Sequence, residues 1–115
     1  NLDMLGRVRN DTLNVYGSRT AAGLRRLVSE QNEPGLRLEF PWRMKGNGDH
    51  WLFFERGTPV LLFNSGEHED YHRPSDRLEK LDQDGRALEV LGAVDAWGPL
   101  APYAAVVHCL CEPAW

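Results

Sequence analysis

Hydrophobic and polar positions along the chain switch repeatedly between two periods. Leu36, Leu38 and Phe40 alternate with Arg37 and Glu39, the period of two expected of a half-buried strand. Residues 13–16 form a second strand candidate, closed by Gly17 and Ser18. Between them, Leu24, Leu27, Val28 and Gln31 follow the helical period. The spacing predicts a helix from Thr20, as its cap, to about Asn32, stopped by Pro34 and Gly35. Residues 44–48 form a glycine-rich loop, after which Asp49 can cap a short helix over residues 50–56, ended by Gly57. Residues 59–63 are apolar without alternation, the pattern of a central parallel strand covered on both faces. A polar loop fills residues 64–76, and Asp82 can cap a last helix with Ala87, Leu88, Val90, Leu91 and Val94 on its apolar side. Strands alternating with helices predict an α/β domain on a sheet with at least one parallel strand. In such sheets ligands gather outside the carboxyl ends of the strands, where Asp3 and residues 64–76 fall.

Composition narrows the function more than the fold. The 115 residues fit one domain and carry a formal net charge of −4, which gives no electrostatic reason to expect nucleic acid. No apolar run is long enough to span a bilayer. Cys109 and Cys111 are one residue apart, so a bridge between them would be strained and close almost no loop. Buried free thiols are the better expectation than a thiolate metal site. Four tryptophans without a basic stripe suggest core and pocket walls. Asn1 stands inside an apolar segment with no leader-like region before it, so a piece of a longer chain is expected.

Chemistry concentrates in residues 67–76. His68, Glu69, Asp70, Tyr71, His72 and Asp76 can ligate a metal or relay protons. His68 and His72 have the spacing that would share a helix face, but Gly66 and Pro74 bracket the segment and make a helix doubtful. The plain alternative is a solvated acidic loop, and composition alone favours it. Likewise Asp49 is explained by capping, His50 by local packing, and Asp3 by turn formation.

Three segments in fixed order change this balance. They are Asn1-Leu2-Asp3-Met4-Leu5-Gly6-Arg7; Gly48-Asp49-His50 with Phe53, leading to Gly57-Thr58-Pro59-Val60; and His68-Glu69-Asp70-Tyr71-His72-Arg73-Pro74-Ser75-Asp76. Together they resemble the C-terminal part of the zinc-dependent aminopeptidases of peptidase family twenty-eight. The same superfamily holds bacterial leucyl aminopeptidases, glutaminyl cyclases and the catalytically silent transferrin-receptor ectodomain. The resemblance covers about residues 1–95 and leaves residues 97–115 as a tail outside it.

The resemblance implies part of an α/β/α sandwich on a mixed, mostly parallel sheet, the phosphorylase/hydrolase-like zinc exopeptidase fold. It implies two zinc ions sharing a water or hydroxide, and a peptide substrate. Asp3 matches a ligand of one metal and His72 a ligand of the other. Asp76 matches the acid that supports His72, while Asp49 and His50 match a segment near the pocket. Asn64, Ser65, Gly66, His68 and Tyr71 would border that pocket. Gly48 stands where the family usually has Ser or Thr, and Arg77 where it often has Thr. The family's first His ligand, its bridging Asp and its Glu-Glu pair, one Glu being the general base, precede the segment matched by residues 1–7. The 115 residues alone are therefore expected to be inactive, and self-association or pairing with a missing N-terminal half is expected. Two other classes share the fold: a non-catalytic binding domain and a glutaminyl-cyclase-like transferase. Retention of Asp3 and His72 speaks for an enzyme. Family members are often exported, but these residues do not fix the compartment.

Overall fold

The computed structural model describes residues 1–33 and 35–82. The predicted helix after Asp82, Cys109, Cys111 and the tail over residues 97–115 lie outside the described residues, as does Pro34. Three strands and two short helices follow in order: β1 (Thr12–Tyr16), α1 (Leu24–Glu30), β2 (Arg37–Glu39), α2 (His50–Glu55) and β3 (Leu62–Asn64). A single 3-10 turn at Leu78–Lys80 comes after them.

The sheet is mixed, in the order β2-β1-β3. β1 pairs in parallel with β2, with Leu13 opposite Leu38. The chain crosses between these two strands through α1, as a parallel pair requires. On its other edge β1 pairs antiparallel with β3, with Val15 opposite Phe63. β3 in turn bonds the first residues of the chain, through a parallel bridge between Leu2 and Phe63. These elements make an α/β fold, as the alternation predicted.

The run at residues 59–63 departs from expectation in one respect. It is paired on both edges, but it is parallel only to residues 1–3 and antiparallel to β1. Apolarity on both faces reports that a strand is covered; it carries no information about direction. Residues 61–65 are buried without a break, which accounts for the missing alternation.

The core forms where β1, α1 and β3 meet. Leu13, Val15, Val28, Leu36, Leu61 and Phe63 are buried together. Leu13 and Val15 occupy the buried alternate positions of β1. Leu2, Leu5, Val8, Leu24, Leu38 and Phe40 pack against this cluster from its margins.

Two helix caps differ from the predicted ones. Thr20 does not start α1; Gly23, at φ 84°, precedes the first helical residue. The Thr20 hydroxyl instead lies 2.7 Å from Gly17 O and 2.9 Å from Val60 O, and it accepts the Val60 N–H at 2.9 Å. It is used to fasten the turn after β1 to the approach to β3, a partner forty residues away that local spacing cannot reveal. That turn depends on Gly17, whose φ is 82° and where a Cβ would sit 2.3 Å from Val60 O. Asp49 precedes α2 as expected, but its side chain makes no cap hydrogen bond. Gly57 does end α2: its N–H donates to Phe54 O at 2.9 Å and that of Thr58 to Phe53 O at 3.0 Å, the paired closure of a Schellman motif. Asn32 closes the turn into β2, since Oδ1 accepts the Leu36 N–H and Nδ2 donates to Leu36 O.

Trp42, expected in a wall, is exposed, with the Arg19 guanidinium 3.3 Å above its ring. Trp51 is half-buried against Phe54, and the other two tryptophans lie outside the described residues. These positions predict opposite sensitivities. Leu13→Ala should cost about 2–5 kcal/mol in urea unfolding, as a fully buried deletion does. Trp42→Ala should change stability by less than ~1 kcal/mol in the same measurement.

Candidate functional site

The site is built on the end of β3. The Asn1 nitrogen donates to Leu61 O at 2.8 Å, Phe63 N–H to Asn1 O at 3.0 Å, and Asp3 N–H to Phe63 O at 3.1 Å. Residues 1–3 thus run beside β3 in the same direction, and Asp3 emerges where β3 ends. Met4 then turns the chain at φ 58°. Its carbonyl accepts the Ser65 N–H at 3.3 Å and also the Ser65 hydroxyl. The segment that carries Asp3 is therefore tied to the first residues of the loop that carries His72.

That loop leaves β3 through an Asx turn. Buried Asn64 accepts the Gly66 N–H on Oδ1 at 2.7 Å, and Gly66 adopts φ 94°. A chain of single turns follows, with Tyr71 N–H donating to His68 O, Arg73 N–H to Asp70 O, and Asp76 N–H to Arg73 O. No helix forms over residues 67–76. His68 and His72 consequently do not share a helix face. The His68 side chain is 6 % exposed, its Nε2 is 3.7 Å from Asp76 Oδ2, and its Nδ1 is buried with no partner among the described residues. Asn64 Nδ2 is in the same condition. His72 is exposed, at φ 55°, and its ring stacks on Tyr71 with centroids 3.9 Å apart.

His50 links the glycine-rich loop to the start of the chain. Its ring is buried, with Nε2 2.5 Å from Lys45 O and Nδ1 3.3 Å from Asn1 Nδ2. A carbonyl only accepts, so Nε2 carries the proton and Nδ1 accepts from the Asn1 amide. Lys45 continues the link, its Nζ bonding Glu67 at 3.1 Å. Asp49 is exposed beside this ring.

An ion cluster holds the remainder. Arg7 Nη1 donates to Asp70 Oδ2 at 2.9 Å and to Asp76 Oδ1 at 3.0 Å. Lys80 Nζ donates to the other Asp70 oxygen at 2.7 Å. Arg9 bonds Glu69 at 2.7 Å. Asp76, expected beside His72, thus has Arg7 and His68 as its neighbours. Arg7, Arg9 and Lys80 escaped the candidate set because their partners lie up to sixty-nine residues away. The only local hint was the density of acids around His68, which requires cations from elsewhere.

The hydrogen bonds from Lys80, Ser75 and Arg7, in that order, hold the Asp70 carboxyl well below the usual carboxylate range. A depressed folded-state value stabilises the fold above the unfolded carboxylate pKa of ~4, and the contribution disappears as pH falls through the folded value.

Among the described residues, the Asp3 carboxylate has no hydrogen-bond or ion-pair partner, and the His72 ring has only its stack on Tyr71. They come from two segments that end at the same side of the sheet. Also among the described residues, no three His, Cys, Asp or Glu side chains group closely enough to hold a metal.

The structure is thus an α/β fold with a carboxylate and an imidazole left open at its strand ends, where such folds bind their ligands. The model of Peptidase family M28 matches residues 1–92, and the chain belongs to that family. No curated protein and no solved structure matches the chain.

The Asp70 ion pairs lead to a pH prediction. The difference in Tm between wild type and Asp70→Asn should stay flat from pH 7 to about 5, then close as pH falls below ~4. Thermal unfolding across that series checks it.

Proposed function

We propose that this chain forms the C-terminal part of the catalytic domain of a zinc-dependent aminopeptidase, with Asp3 and His72 as metal ligands. The supporting observation is their shared place at the strand ends, each with its donor atoms open among the described residues. A carboxylate oxygen and an imidazole nitrogen are the donors zinc accepts, so both residues fit the ion. Two donors do not complete a site, and the family's other ligands and general base belong to segments that precede the one matched here. Zinc, when bound, supplies a water of lowered pKa and polarises a carbonyl.

The chain's own residues do the rest. β3 and its pairing with residues 1–3 present Asp3. The turns after Gly66 present His72. Residues 64–66 border the place where a peptide's N-terminal residue would sit. Asn64 Nδ2 and His68 Nδ1 are buried polar groups available to orient a neighbouring ligand or water. Retention of both Asp3 and His72 supports the enzyme over the non-catalytic branch of the fold.

Zinc titration followed by NMR tests the ligand assignment. Resonances of Asp3 and His72 should shift, and those of His50, whose nitrogens are both occupied, should not. Zinc-induced shifts that bypass Asp3 and His72 would overturn the assignment. The 115 residues alone should release no product from an aminoacyl reporter substrate with zinc added. Robust turnover abolished by His72→Ala would show instead that these residues complete a site by themselves.

A further inference from the structure

We infer that Arg7 is a positioning residue for His72, acting through the two carboxylates that bracket it; this rests on the role proposed for His72. Asp70 precedes His72 by two residues and Asp76 follows it by four. One guanidinium nitrogen holds both, at 2.9 Å and 3.0 Å. A second nitrogen of the same group lies 3.6 Å from Glu69. Arg7 therefore grips the His72 turn on both flanks at once.

Several observations make this grip more than a surface ion pair. The Arg7 side chain is 13 % exposed and that of Asp70 7 %, so this contact is partly shielded, while Asp76, 35 % exposed, is the more open flank. Exposed pairs elsewhere, such as Arg26 with Glu30 on α1, lack this shielding. His72 itself has φ 55°, a backbone state that a residue with a side chain keeps only where its surroundings impose it. Its ring offers no local restraint beyond the stack on Tyr71. The position of the imidazole is thus set by the turn, and the turn is set from its flanks.

Arg7 also stands four residues after Asp3 on the same segment. A short stretch of chain and one planar cation therefore connect the two open donors. Arginine suits this task because the two N–H bonds of its planar Nη1 point in fixed directions, one to each carboxylate, whereas those of an ammonium rotate freely. The same cation occupies Asp70 and Asp76, while Asp3 and His72 form no ion pair among the described residues. Lys80 assists at Asp70 but does not reach Asp76, so it secures only one flank.

The test reads the His72 ring protons by NMR, since the Tyr71 stack gives them a ring-current shift. Methyl signals of Val15 and Val28 report the fold in the same samples. In Arg7→Met, His72 should lose most of its ring-current shift while the core methyls stay in place. Arg7→Lys should recover only part of it, and Lys80→Met should move His72 less than Arg7→Met does. An unmoved His72 in folded Arg7→Met, or full recovery in Arg7→Lys, overturns the inference. Should Arg7→Met fail to fold, Asp76→Asn decides: Asp76 is partly exposed, and an unmoved His72 there overturns the inference equally. Zinc added to the wild type separates the two readings. Zinc that binds the chain elsewhere and leaves His72 untouched sinks its assignment as a ligand, while the ring-current comparison still decides the role of Arg7.

Discussion

The molecule is organised around β3, which is bonded on both edges and buried on both faces. One edge pairs antiparallel with β1 and locks the strand into the core beside Val15. The other receives residues 1–3 in parallel and fixes where Asp3 leaves the sheet. Because the chain continues from β3 directly into residues 64–76, the same strand also fixes where the His72 loop begins. Backbone pairing is directional and obligatory in a buried strand, so it transmits position to both donors without any side-chain contact between them.

Over residues 65–76, past the end of β3, regular hydrogen bonding gives way to isolated turns and ionic contacts. The loop over residues 67–76 has only isolated turns, and its side chains are mostly exposed. Its order comes from Asp70, a buried carboxylate held by Lys80, Ser75 and Arg7. Partial shielding of Arg7 and Asp70 strengthens their contact relative to fully exposed pairs, while removal of one partner leaves the other short of a hydrogen bond. The fold therefore uses an apolar core to place the strand and a shielded ionic cluster to place the loop beyond it.

This division suits hydrolytic chemistry in Peptidase family M28, to which the chain belongs. In an α/β fold the groups that meet a ligand come from separate strand ends and must be held in register by the elements behind them. The cations of the cluster occupy the surplus acids near His72. His50, bonded through both ring nitrogens, serves the frame of the site and leaves none of its own donors open.

Elements defined by local chemistry were legible in the residues themselves. The alternation at Leu36, Leu38 and Phe40 marks β2, and the helical spacing of Leu24, Leu27 and Val28 marks α1. Gly57 ends α2 because a left-handed residue is needed there, and Gly66 with Pro74 correctly argued against a helix at His68. The ordered motifs sufficed to indicate the family. What the residues did not disclose depended on partners far along the chain. The direction of β3, the diversion of Thr20 from capping to Val60, and the pairing of Arg7 with Asp70 and Asp76 are of this kind. Periodicity and capping are properties of neighbouring residues, so a sequence carries them openly. Strand direction and the choice of ionic partner are settled only when the chain closes on itself, because many distant groups could satisfy the same local demand.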